Sequence, residues 1–324
     1  MSKVLLAAVI VLGMAGSCLF AETAPAPVVD PLADNIAKLN DKDVSVRRRA
    51  AANLGNLQNP SAVKPLIDAL KDKDAFVRSS AAESLGLLRS PESTPALSNV
   101  LQNDANANVR QSCALALNYI GDVAAVPALV KALKDKDDGT RFAAANALGS
   151  MRSPDAVPAL LEGLKDPGTN MRRSCLSALG KIEDKASFAA IREAMTDSDP
   201  DVKADAIMIG GQLQDKDSLI IFQEELKSKS LKVSVYAANA LSRINSKEGL
   251  AVALKAMSSS EALIKMTAAD TLGNIGGPQA VAALKKAQQD TDRGVLSAVK
   301  NALDRIEAVE KSKMPKKTTP KKKK

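Results

Sequence analysis

The chain has no histidine and no tryptophan, only two tyrosines and five phenylalanines in 324 residues, and three cysteines. Without an imidazole there is no Ser-His-Asp or Cys-His nucleophile pair, no histidine proton shuttle and no histidine metal ligand. No Gly-rich phosphate loop and no Cys-x-x-Cys pair occurs either. The acidic run Asp135 to Asp138 resembles a calcium loop only loosely, since it lacks the central glycine and the spaced bidentate glutamate. No catalytic residue, cofactor or metal is therefore expected. With so few aromatic residues, any core must be aliphatic.

What the chain does have is a unit of 31 residues, repeated nine times between Pro31 and Ile306. One register runs Val46-Arg47, Val77-Arg78, Val109-Arg110, Thr140-Arg141, Met171-Arg172, Val202-Lys203, Val233-Ser234, Ile264-Lys265 and Val295-Leu296. Self-similarity at such a period marks a solenoid, whose units bury their faces only by stacking. Counted from the basic position, the third and fourth residues are small, as at Ala50-Ala51 and Ala144-Ala145. The seventh is Leu in eight units, and the tenth is aliphatic or Met from Leu57 to Ile306. Spacings of three, four and seven place these on one stripe of a helix, here called B. A second stripe upstream, helix A, starts near Pro65, Pro95, Pro127 and Pro158, where the missing N–H does little harm. Asp in the turn between A and B is expected to cap helix B. Glycine just after the seventh position, from Gly55 to Gly273, predicts close helix packing there.

These residues carry a resemblance. D-x-x-V-R-x-x-A-A-x-x-L-G-x-[IL] followed by A-V-x-x-L-x-x-x-L, seen at Asp74 to Leu88 and Asp137 to Met151, resembles the short HEAT repeat named after phycobilisome lyases and covers residues 31–306. The resemblance implies an all-α, right-handed α-solenoid of about nine two-helix repeats, with B helices lining the concave face. It implies no single activity, because such repeats serve scaffolds, adaptors, bilin lyases and a metal-dependent hydroxylase. The hydroxylase type needs His–Glu iron ligands, which this chain lacks. Ser234 and Leu296 replace the basic residue, Gly210 replaces the Leu, and Lys300 in the last unit replaces an Ala, a departure that reads as a polar cap.

The ends differ from the body. Lys3, the apolar run Val4 to Gly16, and Leu19-Phe20-Ala21 follow the order of a secretory signal peptide, so residues 1–21 are expected to direct export to a bacterial periplasm. Leu19 is larger than the small residue preferred there. Ala15-Gly16-Ser17-Cys18 approximates a lipobox, and a lipoprotein anchored through Cys18 is the alternative; the run is short for a membrane span. Residues 22–30 read as a Pro/Ala-rich linker. Cys113 and Cys175 take the same helix-B position two units apart. Packed helices lie about 8–10 Å apart, beyond disulfide reach, so both are expected to be core thiols. The net charge of +8 belongs to eight lysines from Lys311 onward, leaving residues 1–310 formally neutral. Residues 307–324 are expected to be a disordered Lys-rich tail. In it Lys316, Lys317, Lys321, Lys322, Lys323 and Lys324 either bind an anionic envelope surface or merely solvate the chain.

Taking the second, fifth and ninth positions after the basic residue as farthest from the core stripe, the inner row holds mixed and sparse charge, which disfavours specific nucleic-acid binding. It holds both tyrosines. Leu115, Tyr119, Asn146, Met208, Tyr236 and Asn239 are the candidate protein-binding residues, aromatic and apolar groups on a polar surface being the material of hot spots. Leu87, Leu115 and Tyr119 equally suit plain coverage of the seams between units. The seven basic residues are expected to pair with an Asp of their own or the next turn. The resulting expectation is an exported, monomeric, non-enzymatic scaffold or adaptor that holds a protein or peptide on its concave face. The alternatives are a bilin-lyase-like enzyme handling a chromophore or cofactor, and tail-mediated binding to an anionic surface.

Overall fold

The computed structural model describes residues 30–313. The signal peptide, Cys18, the linker up to residue 29 and the lysines from Lys316 onward lie outside them. The described residues form eighteen α-helices and no strand, in nine consecutive pairs. The A helices are α1 (Pro31–Lys38), α3 (Val63–Ala69), α5 (Thr94–Asn103), α7 (Val126–Ala132), α9 (Val157–Gly163), α11 (Phe188–Ala194), α13 (Leu219–Glu225), α15 (Leu250–Ala256) and α17 (Pro278–Ala287). The B helices are α2 (Val44–Asn56), α4 (Ala75–Leu88), α6 (Ala107–Ile120), α8 (Asp138–Met151), α10 (Thr169–Ile182), α12 (Pro200–Gln212), α14 (Leu231–Arg243), α16 (Ala262–Ile275) and α18 (Arg293–Lys313). The chain is an all-α solenoid.

Local chemistry explains the boundaries. Asp43, Asp74, Asn106, Asp137 and Asp199 each accept a first-turn N–H of the B helix that follows, as the Asp-rich turns predict. A single 3-10 turn precedes helix A in units two to seven, a piece the sequence pattern merges into the helix. The last helix reaches Lys313, past the expected start of the tail at residue 307. Once nucleated, a helix extends cheaply, and Glu307 accepts from Lys311 one turn on.

The core is aliphatic and built from both rows. The seventh-position leucines Leu54, Leu85, Leu117, Leu148, Leu179, Leu241 and Leu272 are buried, facing Leu66, Leu97, Leu129 and Leu160 from the A helices. Where Gly210 replaces this leucine, buried Met195 and Phe222 take up its space. The tenth position is more peripheral than the pattern implies: Leu57 is exposed, Leu88 to Ile244 are half-buried, and only Ile275 and Ile306 are buried.

The two rows stack at different spacings. A Cβ added to Gly86, Gly149, Gly211 or Gly273 would stand 2.9, 2.7, 2.6 or 2.8 Å from the Cα of Ala116, Ala178, Ala240 or Ala302 in the next B helix. At these four steps the B helices touch backbone to backbone, whereas Gly180 meets the Ile209 side chain. The A row splays instead, leaving cavities of about 570 Å³ between α7 and α9 and about 490 Å³ between α9 and α11. The tighter row is the inner one.

A recurring ion pair ties unit to unit. Arg47 donates from Nε and Nη2 to Asp72 at 2.7 and 3.0 Å, Arg78 likewise to Asp104, Arg110 to Asp135 and Arg172 to Asp197. The partner is always the Asp in the turn of the following unit. Nη1 of the same guanidinium donates back to its own turn, as Arg110 does to the Asp104 carbonyl at 3.0 Å. The carboxylate meanwhile accepts the N–H of the next helix-capping residue, Asp135 from Asp137 at 2.9 Å. Arg141 departs: it turns to Asp138 of its own helix, and its buried Nε has no partner.

The clamp is missing altogether between units seven and eight, where both partners are serine, Ser234 and Ser259. The core divides at the same place. One apolar cluster runs from Ala51 to Leu241, another from Ala253 to Ile306, with only Val235, Ala256, Ile264 and Ala268 forming a small cluster between. A polar network bridges the B helices instead: Asp270 accepts from Asn239, Arg243 and Arg305, and Asn274 donates to Ser242.

The clamps and the seam both carry expectations for stability. Arg110→Ala should lower it by more than the roughly 1 kcal/mol of an exposed pair and by less than the roughly 3–5 kcal/mol of a fully buried one, and Arg141→Ala by less, as read from urea unfolding. The Arg110 hydrogen bond holds the Asp135 carboxyl below its ordinary value; at Asp72 burial works the other way but is outweighed by Arg47 and the Asp74 N–H. The clamps' contribution is therefore intact at neutral pH and lost as pH falls below about 4, so Arg110→Ala should flatten the acid limb of a stability–pH curve. Native-state hydrogen exchange should find α16 and α18 opening at lower free energy than α4 to α12. The pair Ser234→Arg and Ser259→Asp should narrow that difference; equal protection in both blocks of the native protein would remove the seam as a point of weakness.

Candidate functional site

Four B helices, α6, α8, α10 and α12, line an open groove of about 990 Å³ on the inner face. Leu115, Asn146 and Met208 of the six candidate residues meet there, with Gln111, Phe142, Arg173, Ser177, Lys181 and Gln212 around them and Arg152 at the rim. Leu115 and Asn146 are exposed and Met208 is half-buried. Tyr119 lies outside the lining, one turn beyond Leu115, and is 55% exposed beside exposed Leu87. Its ring rests on α4, its Cδ2 3.5 Å from where a Cβ on Gly86 would be.

Tyr236 and Asn239 are not accessible contact residues. Tyr236 is only 4% exposed, and burial pushes its phenol above the ordinary range. Its second position falls in the seam between successive B helices, as do buried Ser80 and Ser112. Asn239 is buried because its amide donates to Asp270 and Thr271. Besides the fifth and ninth positions, the groove takes in first positions, Gln111, Phe142 and Arg173, and second positions, Ala143, Ser174 and Asp205. The expected row left out the first position. On a helix the first position stands about 40° to one side of the fifth and the second about 60° to the other, so both reach the groove face.

The polar groups in the groove differ in how far they are committed. Arg173 donates to Asp205 at 2.7 Å, so these charges cancel. Lys181 donates to the neutral amide oxygen of Asn146 at 2.9 Å. The side chains of Gln111, Asn170, Ser177 and Gln212 make no hydrogen bond among the described residues. Both remaining thiols are buried away from the groove in the core; burial raises the Cys113 thiol strongly and pushes Cys175 up to about 12, leaving neither as a thiolate nucleophile at neutral pH. Among the described residues no group of three or more Cys, Asp or Glu side chains is arranged to hold a metal ion.

Paired helices, a backbone-tight inner row and a groove crossing four of its helices define a helical-repeat solenoid with an open inner groove. The HEAT-repeat family profile matches residues 30–118, 94–179, 157–233 and 221–304, and the chain belongs to the HEAT-repeat family. No curated protein matches the sequence. Among solved structures, a chain in the Kap95p–RanGDP complex is similar at 15% identity and a TM-score of 0.52, over 85% of this chain and 46% of that one. This chain thus spans less than half of that relative. An engineered protein is similar at 21% identity and a TM-score of 0.46, over 86% and 89% of the two chains. The CpcE–CpcF complex of phycocyanin lyase from Nostoc sp. PCC7120 is similar at 23% identity and a TM-score of 0.43, over 71% and 94%. At such identities a likeness speaks to fold and not to activity.

The two tyrosines should separate in a stability assay. Tyr236→Ala should cost about 3 kcal/mol or more in urea unfolding, as a truncated core aromatic does. Tyr119→Ala should stay within about 0.5 kcal/mol of the native protein.

Proposed function

We propose that the chain is an exported, non-enzymatic scaffold or adaptor that holds a protein or peptide segment in the groove of α6 to α12. The observation that carries this reading is the convergence of Leu115, Asn146 and Met208 in one open groove of about 990 Å³, with the exposed apolar pair Leu87 and Tyr119 continuing the surface along the inner row. Such a groove is of the size that buries a ligand while leaving it reachable from solvent. Apolar anchors set among amides and hydroxyls suit peptide contact. The non-enzymatic reading rests on the lack of histidine and on the burial of both thiols. Export to a bacterial periplasm rests on the sequence of residues 1–21, and attachment through Cys18 is its variant. Binding of the tail lysines to an anionic surface is a separate reading, which the same experiment separates.

The test is a crosslinking pull-down from envelope fractions with three baits: the mature protein, the same chain ending at Glu310, and a Leu115→Glu/Tyr119→Ala double variant. A partner kept by the shortened bait and lost from the double variant supports the groove. A partner that follows only the tail refutes it, and purified protein that carries a bound chromophore would favour lyase-like handling instead.

A further inference from the structure

The polar side chains of the inner row meet two different fates. Along α14, α16 and α18 they are consumed internally, with Asn239, Arg243 and Arg305 all directed at Asp270 and Asn274 at Ser242. Along α6 to α12 they face an open groove, and several are uncommitted: Gln111, Asn170, Ser177 and Gln212 offer amide or hydroxyl groups without protein partners among the described residues. A helical ligand satisfies its own backbone and asks mainly for an apolar trough. An extended ligand leaves N–H and C=O groups that need partners. Amides, which donate and accept at once, supply them.

Charge narrows the class further. With Arg173 and Asp205 paired at 2.7 Å, the ionic groups left at the groove are Arg152, Lys181 and Glu183. Lys181 bonds only to the Asn146 amide, and Arg152 makes no ion pair among the described residues. Both cations stand at the C-terminal ends of neighbouring helices, α8 and α10, and so mark one rim of the groove. Resting on the groove reading above, we infer that the ligand is an extended peptide segment lying across the four helices, with acidic side chains over Arg152 and Lys181 and an apolar side chain between Leu115 and Met208. Three helix-to-helix steps of about 8–10 Å match about eight residues at about 3.3 Å each. The internally satisfied network of α14 to α18 bounds the site at its far end.

The experiment selects a phage-displayed pool of random peptides of about eight residues against the purified chain. The comparison baits are Ser177→Trp, which fills the groove from an exposed position, and Arg152→Glu/Lys181→Glu. Circular dichroism checks that each bait is folded. The native chain should enrich acidic sequences. The charge-reversed bait should prefer basic ones, and neutralising the selected acids should weaken binding about 3–30-fold. Backbone N-methylation of a selected peptide should abolish binding while a helix-stapled copy fails to bind. Enrichment that ignores the rim charges, or a stapled helix that binds as well as the linear peptide, would overturn the extended acidic ligand while leaving the groove as a binding site. Enrichment no greater on the native chain than on Ser177→Trp would overturn the groove itself.

Discussion

Stacking in this protein depends on one recurring geometry, the guanidinium fork of a B helix closing on the carboxylate in the turn of the following unit. The fork is bidentate, and its remaining nitrogen holds carbonyls of its own turn, so one side chain fixes two loops at once. The carboxylate in turn orders the residue that caps the next B helix. Register therefore passes from helix to turn to helix at the four steps that carry this pair. An apolar core without direction could tolerate sliding of one unit on the next, but a bidentate pair could not.

The second constraint is the small-residue contact between B helices. Gly86, Gly149, Gly211 and Gly273 stand against the Cα of an Ala in the next helix, at distances no side chain can share. The A helices have no such contact and open into surface cavities. Unequal spacing of two rows makes an inner and an outer face, and the inner face carries the groove. Glycine placement sets the close approach at four of the helix-to-helix steps of that face.

Departures from the repeat fall where the structure changes character. Replacement of Arg and Asp by Ser234 and Ser259 coincides with division of the core and with the polar network around Asp270. Gly210 coincides with Phe222 and Met195 in its space. In each case the loss on one helix is matched on a neighbour, which is how a stack of near-identical units stays closed while its faces diverge. The groove spans two clamped steps, Arg110–Asp135 and Arg172–Asp197, with the unclamped step at Arg141 between them, and the self-satisfied network lies beyond it. Beside the groove the inner wall keeps uncommitted amides, whereas along α14 to α18 its amides are spent on neighbours.

Much of this was legible in the sequence because it is periodic. The unit, the two stripes, the caps at Asp74 and Asp137, the tight glycines and the Arg–Asp pairing all follow from local spacing, since each depends on residues within one unit or the next. The groove was legible only in part. Leu115, Asn146 and Met208 were found because the fifth position faces away from the core. Phe142, Arg152 and Arg173 were missed, and Tyr236 and Asn239 were misplaced. Which side of a B helix meets its neighbour depends on the angle between two packed helices, and no spacing along one chain encodes that angle. The sequence by itself determined the repeat, its helices and the clamps that stack them. Only the tertiary structure decided which polar side chains are used up between helices and which stay open to solvent, because that is settled by distances across units and not along them.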